Sequence, residues 1–196
     1  MHQKIIFAGV LYILPKALSS GVPLLSLKLP ELSAKRAVQI AVPYAILAGI
    51  LVLAAFVRLL PAKWGIYLNE YDPYIQYKAA KYAIEHGFSE WFNWYDNTRW
   101  HPWGVAVGKS LYPGVPFSVA SSYLLLKWLG IDVSLFDVAV FFPVAMGVLT
   151  VLVVFLLGRE LGGISLGLIA ALILSVAPTF SVRTSLGFCD TETVGF

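Results

Sequence analysis

The chain has 196 residues, 59% of them hydrophobic and 13% charged, and a mean hydropathy of +0.78. That is more apolar and less charged than an ordinary soluble domain, and it points to an all-α integral membrane protein. The net charge of +3, with Lys and Arg scattered, excludes a nucleic-acid surface and leaves membrane lipid and phosphate groups as partners. A single cysteine, Cys189, excludes a disulfide framework.

Taken in order, residues 1–36 form an N-terminal segment without a clear signal-peptide pattern. Its apolar stretch Ile5 to Leu14 meets Pro15 and Lys16, then Gly21 and Pro23, so residues 5–28 read as an interfacial or broken hydrophobic segment, or as a gene-start artefact. Residues 37–60 carry the first transmembrane helix, charge-free from Ile40 to Val57 and long enough to cross about 30 Å of hydrocarbon. Lys28, Lys35 and Arg36 precede it and favour a cytoplasmic N-terminus, a bias that Arg58 and Lys63 dilute.

Residues 61–137 then make a long first external loop with amphipathic helices, too long to be a mere connection. At its centre "SEWFNWYDNTRWHPWG" mixes Trp and Tyr with polar groups, a composition suited either to a headgroup-level position or to stacking on carbohydrate. The apolar piece at 113–126 is short for a span and reads as an interfacial or re-entrant helix. Residues 138–182 form a transmembrane hairpin, with Val138 to Leu157 and Ile164 to Val182 free of charge and "GRELGG" between them. Three spans place the first loop and residues 183–196, the start of a second external loop, on one side.

Each loop carries near its start two acids two residues apart, Glu70 and Asp72 in the first, Asp190 and Glu192 in the second. Asp72 before Pro73 is a good helix N-cap, which accounts for one carboxylate but not for the second pair. Two acidic pairs on one side of a membrane can combine oxygen ligands for Mg²⁺ or Mn²⁺; solvated carboxylates and caps are the plainer reading. His2, His86 and His101 lack zinc-site spacing. His101, in an aromatic loop, is a packing residue or a general base.

The runs "NEYDPYIQYK" and "RTSLGFCDTE" resemble the two acidic motifs of the STT3 family, the catalytic subunits of oligosaccharyltransferases. "WHPWG", "YPGVP" and "FDVAVFFPVAMGVLTVLVVFLLGRELGG" are similar to the intervening loop and hairpin of that family, and the resemblance covers about residues 40–196. It implies the N-terminal part of a polytopic GT-C-type glycosyltransferase that moves an oligosaccharide from a lipid-linked polyprenyl (dolichyl) carrier to Asn in an Asn-x-Ser/Thr acceptor polypeptide, on the extracytoplasmic or luminal side. The implied metal is Mn²⁺ or Mg²⁺, with Asp72, Asp190 and Glu192 as the catalytic carboxylates, Asp72 and Asp190 as its ligands and Glu192 as ligand or support. Glu70 is a weaker candidate, and Arg183 and Lys78 would meet carboxylates or phosphate oxygens. Another polyprenyl-phosphate-dependent GT-C transferase, and a non-catalytic subunit or transporter, are the alternatives.

The family's acceptor-reading WWDYG motif is not among these residues. The expectation is an N-terminal portion or a truncated gene product, inactive by itself. Incubating the purified 196-residue chain with lipid-linked donor and an Asn-x-Thr peptide should yield no glycopeptide; any measurable product refutes the expectation.

Overall fold

The computed structural model describes residues 34–194, and the N-terminal segment read as interfacial lies outside them. The chain divides into two units, Met1–Ile40 and Ala41–Phe196. Of the first, only the beginning of a helix is described, and the packed core belongs to the second.

Helix α1 covers Ala34–Leu59 and continues as a 3-10 turn over Leu60–Trp64. Leu47, Ile50, Ala54 and Arg58 are buried on it at helical spacing, whereas Val42, Ile46, Val52 and Phe56 are exposed. A helix that is apolar on its outer face as well as its packed face is built for lipid rather than water.

Helix α2, Tyr71–His86, begins two residues earlier than an Asp72 cap requires. Glu70 occupies the cap position with φ 65° and no side-chain capping bond, so the reading of Asp72 as N-cap is corrected. Asp72 instead lies inside the first turn, where the helix dipole favours a carboxylate. Pro73 is tolerated there because the first four N–H groups of a helix have no intrahelical partner.

A second 3-10 turn, Glu90–Asn93, leads to a two-residue ribbon of β1, Tyr95–Asp96, and β2, Val105–Ala106. The strands are antiparallel, Tyr95 opposite Ala106 and Asp96 opposite Val105. The short helix α3, Val107–Ser110, and helix α4, Gly114–Trp128, complete the loop. Ala79 and Ala83 of α2, Trp91 and Val107 form its core, with Phe88 and Phe117 packed against it. Trp91 meets Phe117 edge-on at 5.2 Å between centroids, and burying such a side chain contributes on the order of 3 kcal/mol where the alternative is water. The first loop is thus a folded unit, and Val115, Val119 and Ala120 of α4 join it, through Leu68 and Ala80, to a second core that also holds Ala139, Val140 and Leu186.

Helix α5 spans Leu135–Val176, interrupted by non-helical torsions at Gly162 and Gly163. As one straight rod its 42 residues would reach about 60 Å, twice the hydrocarbon thickness. The two glycines fold it into arms, 135–161 and 164–176, that lie side by side. A Cβ on Gly158 would come within 2.8 Å of the Gly167 Cα, and one on Gly167 would collide with the Phe155 carbonyl. Val151 and Phe155 on one arm and Ala171 on the other share a core with Leu47, Ile50 and Ala54 of α1. Two more helices complete the described chain, α6 at Pro178–Arg183 and α7 at Thr191–Val194.

The structure is mostly helical, and two helices, Ala41–Trp64 and Leu135–Val176, are long and apolar enough to cross a membrane. Replacing Gly158 by Leu should part the two arms of α5 and lower the thermal unfolding midpoint in detergent by several degrees. Leu161→Ala, on an exposed side chain of the same arm, should leave the midpoint unmoved; equal effects would show that the arms do not meet through glycine.

Candidate functional site

The second acidic loop is tied by hydrogen bonds to α1, to α5 and, through Asn69, to the first loop. Leu186 N–H donates to the Arg58 carbonyl and Gly187 N–H to that of Val140, while Asn69 N–H donates to the Gly187 carbonyl. The Asn69 side-chain amide adds a bond to the Leu186 carbonyl. Gly187 has φ +81°, and any side chain there would collide with the Tyr67 carbonyl. Glycine is required on both counts.

Three residues on, Asp190 arrives beside α2. Its Oδ1 accepts from Gln76 Nε2 at 3.4 Å and from Thr191 N–H at 2.7 Å. Asp72, Gln76, Arg99, Tyr112, Asp190 and Thr191 line one cleft of about 250 Å³. One acid from each loop has therefore been brought to the same place. Gln76 is buried, and its Oε1 has no hydrogen-bond partner.

The remaining residues expected at the site are elsewhere. Glu192 pairs with Arg183 at 3.4 Å and accepts from the Thr191 hydroxyl at 3.4 Å. Arg183 also lies over the Phe188 ring. Glu70 is exposed and does not line the cleft. Lys78 donates to both oxygens of Asp96, at 2.6 and 2.7 Å, and to the Thr98 hydroxyl. His101 is exposed.

Two residues at the site carry no sequence signal. Arg99, within "DNTRWHPWG", enters the cleft with Nε and Nη1 buried and without a hydrogen-bond partner. Asp96 is buried, and it accepts from Thr98 N–H at 2.9 Å and from the Thr98 hydroxyl at 2.8 Å. Burial pushes its carboxyl upward most strongly, yet hydrogen bonds from Lys78 and Thr98 outweigh that push and hold it below the usual carboxylate range. The aromatic run divides: Trp91 is buried, Trp94 stacks on Tyr82 at 4.3 Å, and Trp100 and Trp103 are 72% and 78% exposed.

A divalent cation is the group the acid pairs imply. Among the described residues no three of His, Cys, Asp and Glu are clustered to hold one. The cleft does offer two carboxylates and the unpartnered Gln76 Oε1, all hard oxygen donors of the kind Mg²⁺ and Mn²⁺ accept while retaining water. Cys189 adds nothing to this set. It is fully buried, and burial first, with the Asp190 charge second, pushes its thiol up to about 12, so it stays protonated at neutral pH.

Apolar helices carrying a folded loop, with a carboxylate from each of two loops in one cleft, define a membrane protein with an enzyme-like site. Residues 39–196 match the family described as Oligosaccharyl transferase STT3, N-terminal, and the chain belongs to that family. It is 36% identical over 149 residues to the dolichyl-diphosphooligosaccharide–protein glycosyltransferase subunit STT3B of Oryza sativa subsp. japonica, covering 76% of this chain and 21% of that protein. It is 33% identical over 150 residues to the subunit of the same name in Arabidopsis thaliana, covering 76% and 20%. With the stt3 subunit of Schizosaccharomyces pombe it shares 33% identity over 127 residues, 65% of this chain and 17% of that protein. The chain thus spans about a fifth of the length of the curated relatives it matches. Membership in a family of enzymes sets the transporter reading aside.

Gly187→Ala should disconnect the two acids without touching either: the second loop must leave Tyr67, and the unfolding midpoint should fall by several degrees. An unshifted midpoint would overturn the contact. The Asp96 brace has its own pH signature. Because the folded-state pKa is depressed, its stabilisation is present above the ordinary carboxylate pKa and is lost as pH falls through the lowered value. Asp96→Asn should therefore flatten the acid limb of stability measured by thermal unfolding; an unchanged limb would remove Asp96 as its source.

Proposed function

We propose that this chain takes part in N-glycosylation as the N-terminal region of an oligosaccharyltransferase catalytic subunit. The donor is an oligosaccharide on a polyprenyl (dolichyl) phosphate or pyrophosphate, and the acceptor is Asn in Asn-x-Ser/Thr of a polypeptide. The observation that carries the reading is the convergence of Asp72 and Asp190 from two loops in one cleft. The names of the relatives agree with it.

The membrane arrangement we propose is multi-pass, with three crossings formed by α1, by the first arm of α5, and by its second arm continued through α6. This puts both acidic loops on the extracytoplasmic or luminal side. Arg159, exposed beside the Gly162–Gly163 turn, is then cytoplasmic together with Lys35 and Arg36, in the sense of the positive-inside rule. The exposed Trp and Tyr side chains of the loop lie at headgroup depth or against sugar.

An amide nitrogen is a poor nucleophile because its lone pair is delocalised into the carbonyl. Carboxylates at the positions of Asp72 and Asp190 can accept N–H bonds from the acceptor amide and weaken that conjugation. Asp72, Asp190 and Gln76 Oε1 are the atoms that would hold Mn²⁺ or Mg²⁺, with Glu192 supporting the Asp190 turn through Thr191. When bound, such a cation supplies charge neutralisation for the phosphate oxygens of the departing carrier.

The test uses the protein at its natural length, in membranes, with lipid-linked oligosaccharide and an Asn-x-Thr peptide. Asp72→Asn and Asp190→Asn should each lower transfer by about 100-fold or more while the unfolding midpoint stays close to that of the parent. Chelation should abolish transfer and added Mn²⁺ or Mg²⁺ restore it. Undiminished transfer by the double variant would sink the assignment of the cleft.

A further inference from the structure

We propose that Arg99 binds the phosphate oxygens of the lipid-linked donor, and that the Lys78–Asp96 ion pair is the brace that aims it. The proposal rests on the donor reading above and deepens it. A guanidinium brings a planar fork of N–H donors matched to phosphate and carboxylate. Arg99 holds such a fork in the same cleft as Asp72 and Asp190, with Nε and Nη1 buried and without a partner. No ion pair joins it to either carboxylate among the described residues, so its donors are free for a ligand. Buried donors without partners are costly, and an anionic ligand held between Arg99 and the cleft offsets that cost.

Lys109, beside Ser110, is exposed and does not line the cleft, and the cations of α2 and of the second loop are paired. Arg183 is paired with Glu192 and Lys81 with Glu85. Lys78 is bound to Asp96 at 2.6 Å. Arg99 is the cation that lines the cleft.

Its placement is set by its neighbours in the chain. Asp96 lies on β1 and accepts from Thr98 N–H and its hydroxyl, closing a tight turn in which a carboxylate replaces a backbone acceptor. Lys78 on α2 clamps that carboxylate and also donates to the Thr98 hydroxyl. Arg99 is the next residue. The helix that carries Asp72 and Gln76 thus also fixes, through Lys78, the turn from which Arg99 reaches the cleft. Lys78 and Asp96 are positioning residues in this scheme.

The experiment again uses the protein at its natural length. It measures KM for lipid-linked donor at saturating Asn-x-Thr peptide, KM for the peptide, and equilibrium binding of a sugar-free short-chain polyprenyl pyrophosphate. Arg99→Gln should raise donor KM and weaken pyrophosphate binding, each by about tenfold or more, and leave peptide KM unchanged. Arg99→Lys should recover part of the loss. Lys78→Met and Asp96→Asn should raise donor KM by less, Lys78→Arg should restore it, and Lys81→Gln should do nothing. If Arg99→Gln fails to fold, the Arg99→Lys protein decides on the same two readings.

Unchanged donor KM and pyrophosphate binding, or a rise confined to peptide KM, would overturn the proposal. A parent protein that binds the pyrophosphate through Arg99 but glycosylates no peptide would support the anion site and remove the transferase reading. A parent that transfers normally while its Arg99 variants do the same would overturn the anion site alone.

Discussion

A guanidinium buried at the end of an apolar helix must find acceptors, and where Arg58 finds them sets the position of the hairpin and of both acidic loops. Arg58 is fully buried. Its Nη1 donates to the Ala54 carbonyl at 2.9 Å, one turn back, and to the Ser175 carbonyl at 3.1 Å on the second arm of α5. Its Nε reaches the Thr184 hydroxyl at 2.9 Å, and the ring of Phe180 lies 5.0 Å from the guanidinium carbon. One side chain therefore ties α1, the hairpin and the entry to the second acidic loop. The backbone at the same residue adds the bond from Leu186. Removing the guanidinium would take its donor from the Ser175 carbonyl, which lies near the end of the second arm, in a setting where a missing bond costs about 1–3 kcal/mol.

That tie is possible because of a gap at Gly147. A Cβ there would collide with Arg58 Nε and approach Thr184 Cβ to 2.8 Å. The bundle repeats the device at Gly158 and Gly167, and the loops repeat it at Gly187. Lipid tails are as apolar as leucine, so helices in a bilayer gain little by hiding Leu from their surroundings. They gain from close backbone approach and from polar groups that find partners. The exposed Leu149, Val153, Leu157 and Ile173 on α5 and the packed glycines and Arg58 are two consequences of that one solvent.

The helical class and the membrane character were legible, because long charge-free runs and the Gly pair in "GRELGG" state length and interruption directly. The first turn of α2 was nearly so, displaced by the two residues that separate the observed cap Glu70 from Asp72. For the site, Asp72 and Asp190 could be named from their motifs. Glu192 and Lys78 were equally visible as charges, but which charge meets which is decided by folded neighbours: Arg183 takes Glu192, and Asp96 takes Lys78. Arg99 gave no signal at all. It lies among aromatics in a stretch with no helical or strand period, and its significance is that two buried nitrogens lack partners, a property of packing alone. Asn69 was likewise silent, though its two bonds to residues 186 and 187 set the register of the loops.

Charge balance links the loop to its chemistry. Lys78 and Asp96 neutralise one another and neither lines the cleft, so their pairing holds the turn before Arg99 without adding net charge to the cleft. What remains inside is two carboxylates and one guanidinium. Left alone, that set is short of positive charge, and two anions in a partly desolvated cleft repel. A divalent cation at the carboxylates, as proposed above, would reverse the balance and leave an excess of positive charge beside Arg99 for a phosphate to match. Cation and phosphate would then each make the other's binding more favourable, and in such a coupled site the coupling free energy is the same whichever binds first. On that proposal the cleft takes a pair of ligands of opposite sign, with the acids of two distant sequence motifs on one side of the pair and the unheralded Arg99 on the other.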